Sequence, residues 1–119
     1  MEKIQTRKNG TNLAIQAHLL PEKEMRAAGF TDYQNPTWYF CRGVHKNVTL
    51  NVTIPKKNPK DLAIEVLDEN FLQPYDYQSI LERDSTHSIA LAINEKVEEW
   101  MGFLQERGIL SGHHIGAYI

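Results

Sequence analysis

The sequence predicts an α+β fold: a mostly antiparallel three- to four-stranded sheet in meander order, packed by a long C-terminal helix and a short N-terminal helix. Three observations carry this reading. From Asn47 to Ile54 the chain alternates without exception, Val48, Leu50, Val52 and Ile54 on one face and Asn47, Thr49, Asn51 and Thr53 on the other, as in a strand with one solvated side. Apolar segments flank it at Trp38 to Val44 and at Leu62 to Val66, joined by links too short for a parallel crossover. Finally, Ile89, Ile93, Val97, Trp100, Met101 and Leu104 recur at the spacing that puts them on one stripe of a helix.

Taken in order, residues 1–12 show no apolar period and carry Lys3, Arg7 and Lys8, so they read as a flexible basic arm. Residues 13–20 alternate through Leu13, Ile15, Ala17 and Leu19 and are read as a strand, although Ala and Leu also favour helix. Pro21 suits the first position of a short helix over 21–28, with Glu22 and Glu24 at the positive end of its dipole. Gly29 and Phe30 predict a Schellman ending, in which Gly takes the left-handed position and Phe30 folds back near Met25. The aromatic-rich segment from Trp38 is the first meander strand, and Gly43, His45, Lys46 and Asn47 supply turn chemistry before the next.

After the third strand a connector with Pro74 leads to a helical turn from Asp76 to Arg83. The long helix runs from about Thr86 to Arg107, with Asp84, Ser85 or Ser88 as its cap and Gly108 and Ile109 as its end. Residues 111–119 contain Ile115, Tyr118 and Ile119, which need apolar surroundings, so the tail is expected to dock. All of this fits one domain over residues 1–119, a length that buries a core without disulfides or metal.

Composition narrows the classes. No run approaches the length of a membrane span, and the N-terminus is too polar for a signal peptide. One cysteine, Cys41, fits a reducing compartment, so a cytoplasmic protein is expected. The formal charge of −2 conceals an asymmetry. Residues 1–60 hold 10 Lys and Arg against 4 Asp and Glu, whereas residues 61–119 hold 3 against 11, giving +6 and −8. Such a split raises the question of a charged partner.

Four chemistries compete. Glu95, Glu98, Glu99 and Glu106 lie off the apolar stripe of the long helix, and Glu95 and Glu99 repel at i, i+4 unless a positive group faces them. With Phe103 beside the stripe, these residues point to a protein–protein or self-association surface. Arg42, Lys46, Lys56, Lys57 and Lys60 offer phosphate contacts, with Tyr33, Trp38 or Tyr39 for stacking, although the pI near 6.2 is low for a basic module. Asp68, Glu69 and Asp76, with Tyr75 and Tyr77, are the acid–base candidates, each of them also natural turn or cap residues. Cys41 and His45 are too far apart on an extended strand to share a metal directly, and adjacent His113 and His114 form no chelating motif.

The sequence therefore predicts a small binding or accessory protein that acts through protein–protein contacts, with no catalytic residues, no metal, no cofactor and no membrane partner. Nucleic-acid binding through the basic first half is the alternative. A hydrolase-type enzyme using the Asp68–Tyr77 region is the third reading.

Overall fold

The computed structural model describes residues 5–33 and 36–114. In its larger sheet β2 (Thr37–His45), β3 (Val48–Pro55), β4 (Ala63–Asp68) and β5 (Gln73–Pro74) lie side by side in chain order, each antiparallel to the next. The expected meander is present. Its fourth strand is two residues long and lies at the sheet edge, where Pro74 costs no ladder bond and the Tyr75 N–H reaches the Val66 carbonyl at 2.8 Å.

The alternation read from the sequence sets which face is buried. Trp38 opposes Ile54, Phe40 opposes Val52 and then Ile64, and Leu50 opposes Val66, so one side of the sheet is a continuous apolar surface. Thr49, Asn51 and Thr53 form the other side with Tyr39, Cys41 and Glu65. Asn47 closes the β2–β3 hairpin at φ 60, a left-handed conformation that Asn tolerates better than most residues.

Helix α3 (Ser88–Glu106) covers the apolar side, burying Ala90, Ile93, Val97, Met101 and Leu104. Trp100 meets Phe40 edge-on at 5.7 Å. The stripe differs from expectation at its start, where Ile89 is 43% exposed and Ala90 takes the first buried position. The cap also differs. The helix begins at Ser88, so the imidazole of His87 accepts from the Ala90 N–H at 3.2 Å. Asp84 instead accepts from Thr86 in the preceding turn. Helix α2 (Tyr77–Arg83) packs on α3 and is capped by Asp76, whose side chain accepts from the Ser79 N–H.

Helix α1 (Glu22–Ala27) and α3 end by the same device. Gly29 has φ +108, its N–H reaches the Arg26 carbonyl, and the Phe30 N–H reaches Met25. Gly108 has φ +79, with Gly108 N–H to Gln105 and Ile109 N–H to Leu104. These are the two bonds of a Schellman motif, and Phe30 and Ile109 are both buried over the turn they close. Pro21 stands at the N-cap of α1, one position earlier than read.

The strand expected over residues 13–20 is reduced to β1 (Gln16–Ala17), which pairs with β6 (Leu110–Ser111) in a second, two-stranded sheet. Its alternation fails at the ends, since Leu13 and Leu19 are exposed while Ile15 is fully buried. The segment read as a basic arm is tied to the body over residues 5–12. Arg7 donates to the carbonyls of Ile15, Asn12 and Lys60 at 2.6, 2.8 and 2.9 Å, Asn9 donates to Leu62, and the buried Thr11 hydroxyl accepts from the Ile64 N–H. Lys3 and the tail residues Ile115, Tyr118 and Ile119 lie outside the described residues. Among the described residues no helix is long and apolar enough to cross a membrane.

Candidate interaction groove

A helix turns about 100° per residue, so Leu91, Asn94, Glu95, Glu98, Gly102 and Gln105 share one face, centred roughly a third of a turn from the centre of the buried stripe. That face, with Glu99 and Glu106 at its border, lines an open groove of about 870 Å³. The opposite wall is His113, which follows β6. Of the four glutamates, Glu99 receives Lys96 at 3.2 Å and Glu98 receives His113.

His113 is the most constrained side chain of this wall. Only 6% of it is exposed. Its Nε2 lies 2.8 Å from Glu98 Oε2, and its backbone N–H donates to Gln105 Oε1 at 2.8 Å. A carboxylate can only accept, so the Nε2 carries the proton in this pair. The buried Nδ1 has no hydrogen-bond partner among the described residues. Gly112, at φ +86, brings the chain to this position, and a Cβ there would run into the Ala14 carbonyl. The floor includes Gly102, in the interior of α3, where a Cβ would meet nothing within 4 Å among the described residues.

Of the residues predicted for interaction, Glu95, Glu98 and Glu99 come together in this groove. Phe103 does not. It lies on the other flank of α3, edge-on to Trp100 at 5.7 Å and beneath the Arg107 guanidinium at 5.0 Å.

The basic residues of the first half are dispersed. Lys46 sits in the β2–β3 turn, while Lys56, Lys57 and Lys60 follow the far end of the eight-residue strand β3. At roughly 3.3 Å per residue, that length separates the two ends by about 25 Å. Two of the predicted cations are also engaged by aromatic rings. Arg42 lies over Phe40 and Trp100 at 4.6 and 5.4 Å, filling the space that Gly29 leaves open. Lys56 lies over Trp38 at 4.5 Å, with Arg26 also at that ring at 5.3 Å. Both Lys56 and Arg26 donate to Asp32, at 2.8 and 2.7 Å. The hydrogen bond from Lys56, followed by that from Arg26, holds the Asp32 carboxyl below its ordinary range. Of the proposed stacking residues, Trp38 is in the core and Tyr33 is exposed.

The acid–base candidates are not gathered. Asp68 accepts from the Asn70 N–H in a turn, Glu69 accepts from Thr49 on the sheet, and Asp76 caps α2. A smaller hollow of about 370 Å³ includes Glu65, Tyr75, Asp76 and Tyr77 but neither Asp68 nor Glu69. Among the described residues, no three His, Cys, Asp or Glu side chains are grouped for a metal.

Sequence reasoning missed His113, Gln105 and Gly102. The face holding Gly102 and Gln105 was available from spacing alone, since both continue the row Leu91, Glu95, Glu98. His113 had no such signal, because its place depends on a two-residue strand pairing with residues almost a hundred positions earlier. Comparison of the chain with protein-family models, curated proteins and solved structures finds no match, so the functional reading rests on this geometry.

Proposed function

We propose that the protein works by protein–protein contact, without catalysis, docking a basic segment of a partner protein along the acidic groove of α3. The observation that carries the reading is the collection of Glu95, Glu98, Glu99 and Glu106 around one groove. Like charges so placed cost the isolated helix a few tenths of a kcal/mol, about 0.2 to 0.5 per i, i+4 pair, and a cationic partner turns that cost into attraction. Leu91, 43% exposed at one end, offers an apolar contact to add affinity. Gly102 supports the same reading. A glycine inside a helix costs about 0.5 to 1 kcal/mol relative to alanine, and no neighbour among the described residues requires it. A groove that must let another backbone come close does.

The test uses fluorescein-labelled octalysine as the basic segment, with anisotropy read at low salt. The expected result is saturable binding that weakens with salt and falls at least about tenfold in Glu95→Lys plus Glu99→Lys. Gly102→Ala should raise stability by about 0.5 to 1 kcal/mol, and Gly102→Gln should weaken binding without unfolding the chain. Absence of binding, or binding indifferent to charge reversal, overturns the reading. A labelled single-stranded oligonucleotide binding instead, sensitive to Lys57→Ala plus Lys60→Ala, would favour nucleic acid. Light scattering on the unlabelled protein asks whether the basic partner is a second copy.

A further inference from the structure

The groove has a titratable wall. We infer that His113 gates the groove by pH: protonation of its imidazole lowers the affinity for a cationic segment, and a bound cationic segment disfavours that protonation. The inference rests on the docking reading above and adds its regulation.

The geometry fixes the sign. In the neutral form the Nε2–H of His113 donates to Glu98, and the pair keeps the net negative charge of the carboxylate beside the groove. Protonation places a positive charge 2.8 Å from that carboxylate and cancels most of its field. It also creates an N–H at the Nδ1, where no acceptor stands among the described residues. The imidazole cannot swing away from the glutamate without cost, because Gln105 holds the His113 backbone N–H and Gly112 is wedged against Ala14. Histidine is the side-chain type whose charge ordinarily changes between about pH 5 and 8, which is why the experiment is run within that range.

Helix α3 supplies Glu98 in contact and Glu95, Glu99 and Glu106 along the groove, with Lys96 bound to Glu99. The same C-terminal segment supplies His114, which is exposed. Strand β1 is followed by His18, whose Nε2 is 2.8 Å from Ser111 Oγ, so it faces β6 and not the groove. A unit charge about 7 Å from a bound cation in an open, half-solvated groove changes affinity by about three- to tenfold.

The experiment follows octalysine binding by anisotropy at constant low ionic strength from pH 8 to pH 5.5. Wild type should lose about three- to tenfold in affinity as pH falls, His114→Gln should behave as wild type, and His113→Gln should give a flat profile. In parallel, ring-proton NMR follows the His113 titration in wild type with and without octalysine. Linkage requires its midpoint to move to lower pH by the logarithm of the same fold-change, a readout that stands even where His113→Gln fails to fold. No binding at pH 8 overturns the docking reading and this inference with it. Binding at pH 8 that does not weaken at pH 5.5, a profile unchanged in His113→Gln, or a titration midpoint that octalysine leaves in place overturns this inference alone.

Discussion

Replacing Gly112 by alanine separates two reasons for a glycine. Gly108 and Gly112 lie four residues apart with similar conformations, φ +79 and φ +86. Either alanine variant meets the same penalty for an L-residue in the left-handed region, about 1 to 2 kcal/mol. Only their surroundings differ. At Gly108 a Cβ has no atom of the described residues within 4 Å, so the conformational penalty is the expected cost. At Gly112 the Cβ would overlap the Ala14 carbonyl oxygen and carbon and lie 3.5 Å from Ile15 Cα. These atoms are backbone and cannot rotate away. Residues 110–113 must therefore shift, which disturbs the β1–β6 pairing and the contacts of His113 with Gln105 and Glu98. Each lost hydrogen bond is worth about 1 kcal/mol, so Gly112→Ala should cost about 3 to 4 kcal/mol against about 1 to 2 for Gly108→Ala. With a urea slope of about 2 kcal/mol/M, the unfolding midpoint falls by about 1.5 to 2 M in the first variant and by about 0.5 to 1 M in the second. Urea titration followed by tryptophan fluorescence reads both, since Trp38 is buried and Trp100 partly so. Equal costs, within about 0.5 kcal/mol, would refute the argument that Gly112 is needed for close approach.

Two further outcomes follow from the same structure. Arg7→Ala removes a charged donor from three carbonyls, which should cost about 2 to 4 kcal/mol in chemical denaturation and speed amide exchange at Ile64; a loss below about 0.5 kcal/mol would mean that water replaces the guanidinium freely. For Asp32 the folded carboxyl titrates below its ordinary value of 3.8 because Lys56 and then Arg26 bind the ionised form. Its contribution to stability is therefore present above that value and is lost as pH falls through the lower folded one. Denaturation midpoints measured down to about pH 2 should fall less steeply below pH 4 in Asp32→Asn than in wild type, and parallel curves would show that the cluster adds nothing.

What could be read from the sequence was whatever the local chain decides. Val48 to Ile54 alternate because each side chain answers to one of two faces, and the observed register respects every position. The ends of α1 and α3 were legible because a Schellman motif needs only a glycine and one apolar residue after it. The cap of α3 was missed because a His at that place is an uncommon choice and the helix starts two residues later than the pattern implied. The pairing of Gln16–Ala17 with Leu110–Ser111 was illegible for a different reason. Two-residue strands carry no periodicity, and their partnership is set by how α3 delivers the chain back across the body. Half of the candidate groove shares that origin: its acidic wall is a helix face visible in the spacing, and its histidine wall is a tertiary consequence.

The charge asymmetry between the two halves of the sequence is a spatial asymmetry on one side only. Arg26, Arg42 and Lys56 stand over aromatic rings at the edge of the core, where a cation gains about 0.5 to 2 kcal/mol from the ring face, and Arg7 is bound by backbone carbonyls. Lys46 and Lys57 are held at opposite ends of the β2–β3 hairpin. The positive half of the chain is thereby divided among separate local tasks. The negative half is not divided in this way, because a single helix holds four of its eleven carboxylates at positions that converge on one groove. Helical periodicity concentrates charge, whereas a hairpin carries successive residues apart at about 3.3 Å each. The same sequence split therefore favours an acidic docking surface over a basic one. It also gives the discriminating variants: reversing Glu95 and Glu99 changes neighbouring charges on one surface, whereas neutralising Lys46 and Lys57 removes one charge from each end of the hairpin.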